Sequence, residues 1–365
     1  MFRTLRNLIV HIIAAFISDK DARRNFRNKY KIKSKFRKLR DDNIRLFNDV
    51  QSLKQQIAEI RYNYDKHLYQ WEWDKSRTFH VTPLDDSPPQ GPDTDVLLAV
   101  VCVAKNEGPY LKEWIEYHKL VGVERFYFYD NESDDNTKEL LAPYIKDGTV
   151  VYHFLPNHPI TKQLQIIEAY NDAIFKYRDR SRWMAIIDID EFIVPVEKNT
   201  IPEFLADYEQ YPAVAINWLC FDSSGHEKKP SEHGGMLTAN YTRVRKYHNV
   251  YKDRVAKSIV NPKLVLNYIS EHDGIYYRNR EAVTENFEGT RGQTTKFHSS
   301  SKIRINHYLT KSREEYSNKI RRNQKGTNNV YFLNEEWLNF PEETTEDLVI
   351  QKYVLQLKQV LGIKD

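Results

Sequence analysis

The pattern of hydrophobic and polar residues changes near residue 95. After this point, predominantly apolar runs of strand length occur at Val96–Val103, Val123–Tyr129, Thr149–Phe154 and Ala213–Cys220. The first run is apolar at every position, which is typical of a strand that is buried on both faces of a sheet. Helical spacing of apolar residues separates the first three runs. This alternation of strand and helix predicts an α/β fold with a mostly parallel sheet flanked by helices.

The helices between these strands each have one apolar face. Pro109 opens the first helix, and its predicted inner face consists of Leu111, Trp114, Ile115, His118 and Val121. Thr137–Ile145 and Leu164–Tyr177 are predicted as the next two helices, and Glu346–Leu361 as a last helix that packs on the domain. Because His118 lies on an inner face, we interpret it as a core histidine rather than a ligand.

The run Ala185–Ile193 is apolar but contains three carboxylates, and we predict that it is one further buried strand. Residues two apart in a strand face the same way, so Asp188 and Asp190 are expected to project together. Two like charges that close repel each other unless a cation lies between them, and oxygen ligands suit Mg²⁺ or Mn²⁺ bridging to a phosphate. The alternative is a strand end whose acids cap loops or pair with lysine.

Polar residues also follow the other predicted strands. Asn106 and Glu107 follow the first strand, and Asp130 and Asn131 follow the second. In open α/β sheets, ligands bind at the carboxyl ends of the strands. The chain contains neither a Gly-x-Gly-x-x-Gly fingerprint nor a phosphate-binding Gly-x-x-x-x-Gly-Lys loop. A nucleotide site built from carboxylates and a metal is therefore the prediction.

Composition limits the remaining possibilities. With 365 residues, 40% of them hydrophobic and 13% aromatic, the chain is long enough for one large catalytic domain with extensions and is not a disordered protein. Cys102 and Cys220 are its two cysteines, so a disulfide framework or a cysteine-based zinc site is excluded and a reducing compartment is favoured. The body has no basic stripe, which argues against nucleic acid as a partner.

The N-terminal residues 1–40 form a basic arm. They contain 13 Lys or Arg and two Asp, a net charge of +11, whereas the rest of the chain carries −7. Apolar residues at helical spacing from Phe2 to Phe16 predict an amphipathic helix that is too short to span a bilayer. Such a helix with a polybasic segment is expected to bind an anionic membrane surface. A signal peptide and a solvated basic tail are the alternatives.

Four further segments complete the predicted organisation. Residues 41–80 are helical with an apolar seam over 41–73, which indicates a short coiled coil and self-association. Residues 81–95 contain a proline-rich linker. The catalytic domain is expected to span residues 96–330, followed by a helical extension over residues 331–365.

Four blocks occur in an order that carries a family resemblance, namely Val101–Glu107, Phe128–Ser133, Ile187–Phe192 and Ile305–Tyr316. Together they resemble bacterial members of glycosyltransferase family 92 and its family-2-like relatives. The resemblance implies a GT-A fold and transfer of a sugar from a nucleotide donor, a UDP-sugar, with a divalent metal, Mn²⁺ or Mg²⁺. It also implies inversion at the anomeric carbon.

The resemblance assigns roles to individual residues. Asn106, Glu107 and Asp130 are expected to hold the base and ribose. The predicted metal ligands are Asp188, Asp190 and His307, the last of which lies between a strand, Lys302–Asn306, and a helix with the capping pair Ser312 and Glu315. The full predicted nucleotide-sugar site comprises Asn106, Glu107, Asp130, Asn131, Gln165, Asp188, Lys257 and Lys311.

The sequence leaves the roles of several basic residues and the identity of the general base undecided. Lys257 either touches phosphate or is a solvated strand residue, and Lys319, Arg321 and Arg322 either approach the diphosphate or form an exposed basic face. An inverting enzyme needs a base for the acceptor hydroxyl. Asp222 stands where the family has glycine, and Ala239 and Asn240 lie where an acid is expected. The candidate bases are Glu191, Asp222, His226 and Glu232.

These observations predict a metal-dependent glycosyltransferase that acts on a glycan or lipid-linked acceptor in surface polysaccharide synthesis. It is expected to be cytoplasmic and peripheral at the inner face of the bacterial membrane. Two alternatives stay open: a nucleotidyl- or phosphotransferase, which would use the same acid and metal chemistry, and a non-catalytic membrane scaffold.

Overall fold

The computed structural model describes residues 19–25, 49, 52–53, 56, 95–156, 162–245, 254–324 and 344–364. The chain divides into two compact units, residues 1–79 and residues 80–365. Residues 20–25 are helical, and most of the predicted arm, all of the proline-rich linker and most of the 41–73 seam lie outside the described residues. None of the helices described here is long and apolar enough to cross a membrane.

The second unit is built on a mixed sheet that has ten strands in the described residues. They are β1 (Val96–Ala104), β2 (Arg125–Asp130), β3 (Val150–Phe154), β4 (Ser181–Ile186), β5 (Glu191–Pro195), β6 (Ala213–Cys220), β8 (Ala256–Val260), β11 (Ala282–Val283), β12 (Gly289–Thr290) and β13 (Ile303–His307). The main order is β12-β11-β6-β8-β4-β1-β2-β3, and β13 pairs with both β5 and β6.

Two small antiparallel pairs and the helices complete the unit. The pairs join β7 (Arg243–Arg245) to β14 (Thr344–Glu346) and β9 (Val265–Tyr268) to β10 (Gly274–Tyr276). The α-helices are α1 (Gly108–Leu120), α2 (Thr137–Lys146), α3 (Lys162–Tyr177), α4 (Ile201–Leu205), α5 (Leu237–Asn240), α6 (Arg313–Gln324) and α7 (Val354–Leu361). Short 3₁₀ turns lie at Ala206–Tyr208, Glu232–Gly235, Pro262–Leu264, Tyr277–Asn279 and Val349–Tyr353.

The predicted fold class, an α/β fold with a mostly parallel sheet flanked by helices, is confirmed. Strand β1 runs parallel to β2 and β4, and β2 runs parallel to β3. The second half of the sheet is mixed, because β8 lies antiparallel between β4 and β6. The carboxyl ends of β1, β2 and β4 therefore meet at one edge, where the predicted site residues follow.

Helices cover both faces of the sheet, which explains why β1 is apolar at every position. Leu98 and Val100 pack in the same buried cluster as Trp114 of α1. Ala99 and Val101 pack in a second cluster with Tyr170 of α3. Each fully buried side chain of this kind contributes about 1.5–3 kcal/mol. The sheet is thus held between two cores.

The predicted inner face of α1 is confirmed, because all five of its residues are fully buried. His118 Nδ1 lies 2.8 Å from the carbonyl of Trp114, and its Nε2 accepts the Ile193 N–H at 3.3 Å. Burial lowers the pKa of His118 to about 3. The ring is therefore a neutral core histidine whose nitrogens are both satisfied, as the pattern predicted.

The predicted C-terminal helix is shorter than its sequence pattern. Glu346 belongs to β14, a 3₁₀ turn follows at Val349–Tyr353, and α7 begins at Val354. Leu357 on α7 is fully buried in the core cluster that also contains α1. The predicted packing of this helix on the domain is thus observed, although pairing of β14 with β7 displaces its start.

Candidate active site

The three clustered acids lie at a chain reversal and not along one strand. Strand β4 ends at Ile186 and β5 begins at Glu191, so Asp188 and Asp190 occupy the turn between them. The single strand predicted over Ala185–Ile193 is therefore wrong. The chain breaks into two strands here for a non-local reason. Strand β5 leaves the parallel sheet and pairs antiparallel with β13.

His307 reaches this turn through the pairing of β5 with β13. Its position in β13 is in register with Glu191 of β5 and with Cys220 of β6. The next residue, Tyr308, donates its N–H to the carbonyl oxygen of Asp190 at 2.8 Å. Two strands and one backbone hydrogen bond therefore fix the histidine against the acidic turn.

Asp190 lies between this histidine and a lysine. Its Oδ1 is 3.6 Å from Nε2 of His307, and its Oδ2 is 2.9 Å from Nζ of Lys319 on α6. Burial raises the pKa of Asp190, but Lys319 and His307 outweigh burial and hold the pKa well below its ordinary value. Asp190 is consequently ionised at neutral pH. Of the three basic residues proposed on α6, Lys319 reaches the site, Arg321 is exposed, and the side chain of Arg322 lies outside the described residues.

Asp188 is held by a different cation. Nζ of Lys257 on β8 lies 3.0 Å from Asp188 Oδ2, and Tyr170 on α3 donates its hydroxyl to Asp188 Oδ1 at 3.4 Å. Burial raises the pKa of Asp188, but Lys257 more than offsets this and the pKa is lowered. Lys257 is 1% exposed, so neither predicted role for it, a direct phosphate contact or a solvated strand residue, agrees with its position behind Asp188.

Glu191 is fully buried and acts on the backbone of the turn. Its Oε2 accepts the N–H of Asp188 at 3.1 Å, and its Oε1 has no hydrogen-bond partner. Burial is the main cause that raises the pKa of Glu191 well above its ordinary value. A carboxyl group with no exposed surface cannot reach an acceptor hydroxyl, so its prediction as a general base is corrected.

The other candidate bases lie after β6. Asp222 is 5% exposed; its Oδ1 accepts the Ser224 N–H at 2.7 Å, and its Oδ2 lies 3.3 Å from Arg243. His226 Nε2 is 3.0 Å from the carbonyl of Asn240. Among the described contacts, none of these residues is hydrogen-bonded or ion-paired to Asp190 or His307, and the same holds for Glu232.

No acid lies at Ala239 or Asn240, where one was expected, and Asn240 has a structural role instead. The Asn240 amide donates to the carbonyl of Glu232 at 2.9 Å and to that of Met236 at 2.8 Å. It is 9% exposed. The Asn240 side chain therefore stabilises the segment around α5, and its amide is not available to a sugar acceptor.

Asn106 and Glu107 connect the end of β1 to two other segments. The Asn106 amide donates to Asp134 Oδ1 at 2.6 Å, and its backbone N–H donates to Ser133 Oγ at 3.0 Å. Asn106 adopts a left-handed conformation, with φ at +58°. Glu107 forms an ion pair with Lys311 at 3.0 Å. The structure thus brings the predicted Lys311 to the first strand end.

Asp130 and its neighbours organise the next two strand ends. Asp130 accepts hydrogen bonds from the Ser133 N–H at 2.9 Å and from the Tyr152 hydroxyl at 2.7 Å. Asn131 donates to the carbonyl of Leu155 at 3.1 Å. Gln165 on α3 donates to a carbonyl of the adjoining segment, that of Pro156, at 3.0 Å. The predicted nucleotide residues therefore share one sheet edge, but their observed contacts are with the protein.

A cavity of about 350 Å³ is lined in part by Lys319, the ion-pair partner of Asp190. The residues that line it are Asn106, Glu107, Pro109, Tyr110, Leu309, Thr310, Lys311, Glu315, Asn318 and Lys319. Lys311 Nζ and Lys229 Nζ lie 4.4 and 4.2 Å from the centre of the Tyr110 ring. The Tyr110 hydroxyl bonds to Glu315. Two predicted residues after β1, Asn106 and Glu107, thus share a cavity with the lysines that follow β13.

Sequence reasoning missed the residues that pack around the histidine. The Trp218 ring centre lies 4.4 Å from that of His307 and 5.1 Å from that of His272. Burial, followed by the charge of Lys257, lowers the pKa of His272 to about 3. Tyr110 and Lys229 were also missed. Each lies in a segment of ordinary amphipathic or loop composition, so no local signal separated it from its neighbours.

The turn brings two of the three predicted metal ligands together, Asp190 and His307. Within the described ranges, no three His, Cys, Asp or Glu side chains converge, so the predicted trio is corrected: Asp190 faces His307, whereas Asp188 turns to Lys257. Two ligands still fit Mg²⁺ or Mn²⁺, because such ions are commonly held by one or two carboxylates together with substrate phosphates. Nδ1 of His307 has no hydrogen-bond partner within the described residues, and Nε2 is the ring nitrogen that faces Asp190.

Comparison with known proteins gives a family match. The model of the family described as Glycosyltransferase family 92 matches residues 99–361. A glycosyltransferase family 92 protein of Oryza sativa subsp. japonica is 28% identical over 187 residues, which are 50% of this chain and 31% of that protein. Galactan beta-1,4-galactosyltransferase GALS2 of Arabidopsis thaliana is 29% identical over 129 residues, 32% of this chain and 24% of that protein. The chain thus spans about a third or less of these relatives' length.

Similarity to solved structures is low. S. aureus TarS 1–349 in complex with UDP shares 13% identity over 46% of this chain and 47% of its own, with a TM-score of 0.30. The mannosyltransferase PcManGT from Pyrobaculum calidifontis, in complex with GDP-Man and Mn²⁺, shares 16% identity over 44% of this chain and 46% of its own, with a TM-score of 0.26.

Proposed function

Since the chain belongs to glycosyltransferase family 92, we propose that it transfers a sugar from a nucleotide-sugar donor, a UDP-sugar, to a glycan or lipid-linked acceptor. The observation that carries this proposal is the contact of Asp190 with both His307 and Lys319, because Lys319 lines a cavity together with Lys311. A diphosphate leaving group develops negative charge, and preorganised cationic and metal-binding groups are what stabilise it.

In this proposal, Asp190 and His307 hold a divalent cation, Mn²⁺ or Mg²⁺. The cation, when bound, neutralises the diphosphate as a Lewis acid. Lys311 and Lys319 face the same cavity, and each is paired with a carboxylate, Glu107 and Asp190 respectively. When the donor binds, the diphosphate oxygens replace these carboxylates as the partners of the two ammonium groups. The lysines thereby orient the leaving group.

The remaining donor contacts follow the strand ends. Asn106, Glu107 and Asp130 orient the base and ribose, with Asn131 and Gln165 at the same edge. Asp188 keeps an accessible side, because 41% of its side chain is exposed, and it contacts the nucleotide sugar there. Inversion requires a base on the far side of the sugar, and Asp222, His226 and Glu232 are the candidates that remain.

We place the reaction at the inner face of a bacterial membrane, in surface polysaccharide synthesis. The support is the charge of residues 1–40, which carry +11 against −7 for the rest of the chain. An anionic leaflet attracts such a segment, and an adjoining amphipathic helix adds a second membrane signal. Self-association through residues 41–73 is part of the same proposal. The two curated relatives given above come from plants, so the bacterial setting rests on the sequence resemblance.

Product analysis tests the proposed reaction. The protein is incubated with a panel of UDP-sugars, glycan acceptors and Mn²⁺, and we expect release of UDP with the sugar on the acceptor. Asp190→Ala should lower this rate about a hundredfold or more, because a transition-state charge loses its stabilisation. The control is Asp207→Ala, which removes an exposed acid of the 3₁₀ turn after α4 and should leave the rate unchanged.

Other products would contradict the proposal. Release of pyrophosphate would indicate a nucleotidyltransferase. If Asp190→Ala left both nucleotide and Mn²⁺ binding unaltered in calorimetry, the scaffold hypothesis would be favoured.

A further inference from the structure

Lys257 is a buried lysine inside the sheet. It lies on β8, 1% exposed, and its backbone pairs with Ile216 of β6. Lysine is almost never fully buried unless it is paired, because removing an ammonium group from water is costly. Methionine would fill a similar volume without that cost, and packing alone therefore does not explain a lysine at this position.

Among the described residues, the ion pairs of Lys257 are with the acidic turn. Its ammonium lies 3.0 Å from Asp188 Oδ2 and 4.0 Å from Glu191 Oε1. Asp188 is accessible on its other side, since 41% of its side chain is exposed. The ammonium group therefore holds Asp188 from the interior, while the rest of the carboxylate remains accessible.

Two further contacts restrict the same residue. The N–H of Asp188 donates to Glu191 Oε2 at 3.1 Å, and the Tyr170 hydroxyl donates to Asp188 Oδ1 at 3.4 Å. Both carboxylate oxygens and the backbone of Asp188 are thus engaged. Asp190, two residues later, instead faces His307 and Lys319. A buried lysine thus holds Asp188, whereas a histidine and a cavity-lining lysine contact Asp190.

We propose that Lys257 is a positioning residue for sugar transfer. It draws the Asp188 carboxylate away from the divalent cation and fixes it for the nucleotide sugar, which leaves the cation to Asp190 and His307. The inference rests on the proposed function and goes beyond it, because it explains how two acids two residues apart acquire different tasks.

Lys257→Met tests this division. Loss of a positive charge beside the acids should strengthen Mn²⁺ binding to the nucleotide-free protein about tenfold, measured from free Mn²⁺ by electron paramagnetic resonance. The KM for the nucleotide sugar should rise about tenfold, because Asp188 is no longer held in position. A merely structural lesion would weaken both kinds of binding together, so opposite changes identify the positioning role.

A double-mutant cycle tests whether Lys257 acts through Asp188. In the Asp188→Asn background, Lys257→Met should change the donor KM by less than about twofold. Arg304→Met is the matched control, because it breaks another buried ion pair, between Arg304 and Asp347. That variant should lose stability while its Mn²⁺ affinity stays at the wild-type value.

Several outcomes would overturn the inference. Unchanged Mn²⁺ and donor binding in Lys257→Met would do so, as would parallel weakening of both or an equal effect in the Asp188→Asn background. If Lys257→Met does not fold, Lys257→Gln removes the same charge and is measured in the same way. Failure of the proposed function is distinguishable, because Asp190→Ala would then leave Mn²⁺ binding intact whatever the result for Lys257.

Discussion

Asp188, Asp190 and Glu191 are close neighbours in sequence, yet their surroundings move their pKa values in different directions. Burial alone would raise all three. Lysines reverse this effect for Asp188 and Asp190, but Lys257 does not outweigh burial at Glu191. At the scale of the residue, the pKa of each acid in this turn therefore depends on the cation that lies beside it.

A second residue-scale consequence concerns stability and pH. The pKa of His118 is about 3 in the native protein and about 6.5 in an unfolded chain. As pH falls below about 6.5, the unfolded state takes up a proton that the native state does not. The free energy of unfolding should therefore fall by about 1.4 kcal/mol per pH unit from this source, until the pH approaches 3, and should be unaffected above about 6.5.

Urea unfolding at about pH 7.5 and about pH 5 checks this expectation. His118→Gln should be less stable than the wild type at both values, but its stability should depend less steeply on pH. His233→Gln, at an exposed position, should keep the wild-type slope. Equal slopes for all three proteins would contradict the assignment of His118 as the buried neutral group.

At the scale of the element, local patterns predicted most of the sheet and failed where pairing is non-local. The inner face of α1 was predictable because burial of one face leaves a periodic pattern, and strand β1 because burial on both faces leaves a continuous apolar run. The capping pair of α6 was also predictable, and Glu315 N–H donates to Ser312 Oγ at 3.3 Å while Ser312 N–H donates to Glu315 Oε2 at 3.1 Å. The break between β4 and β5 was not, because apolar residues continue through Ile187 and Ile189.

The same limit applied to the site. Acids and amides at the ends of β1, β2 and β4 were predictable, because parallel strands bring their carboxyl ends to one edge. Their partners were not. Lys257 lies 69 residues from Asp188, and Lys319 lies 129 residues from Asp190. No helical or strand periodicity relates positions so far apart, so the role of each lysine becomes visible only in the folded chain.

The turn after α1 gives an element-scale prediction. Gly122 has φ at +101°, and a Cβ atom there would lie 2.7 Å from Cδ of Pro202 on α4. Gly148 has φ at +80°, but the nearest atom to its Cβ position, Arg125 Nη1, is 3.9 Å away. Gly122→Ala should therefore cost about 2–4 kcal/mol of unfolding free energy, and Gly148→Ala about 1 kcal/mol.

Denaturant titration of both variants measures this difference. Both glycines have a positive φ, and they differ in the space around Cβ. Equal losses of stability would mean that contact with Pro202 contributes nothing and that backbone conformation alone accounts for the cost.

At the scale of the whole molecule, the two units differ in charge and in proposed task. The basic arm of residues 1–40 belongs to the unit 1–79, and every described residue of the candidate site belongs to the unit 80–365. Each unit is compact by itself. The proposed membrane contact and the proposed chemistry should therefore be separable by truncation.

A protein of residues 80–365 should keep its melting temperature within a few degrees and should transfer sugar to a soluble acceptor. It should no longer co-sediment with anionic liposomes, whereas the full chain should bind them and lose binding at high salt. Zwitterionic liposomes serve as the control. Liposome binding by the truncated protein would place the membrane contact outside residues 1–79.

The long sequence separations across the site have a consequence for synthesis. Glu107 meets Lys311 across 204 residues, which a ribosome adding about 5–20 residues per second covers in roughly 10–40 seconds. During the later part of that interval, after residue 191 and then β6 have been made, the nascent chain presents its acidic turn without the histidine and lysine that later face it, and β5 and β6 lack β13 as their pairing partner. Chaperone contact is therefore expected to concentrate on this window, and a ribosome paused before residue 303 should display a chain that cannot yet form the proposed metal site.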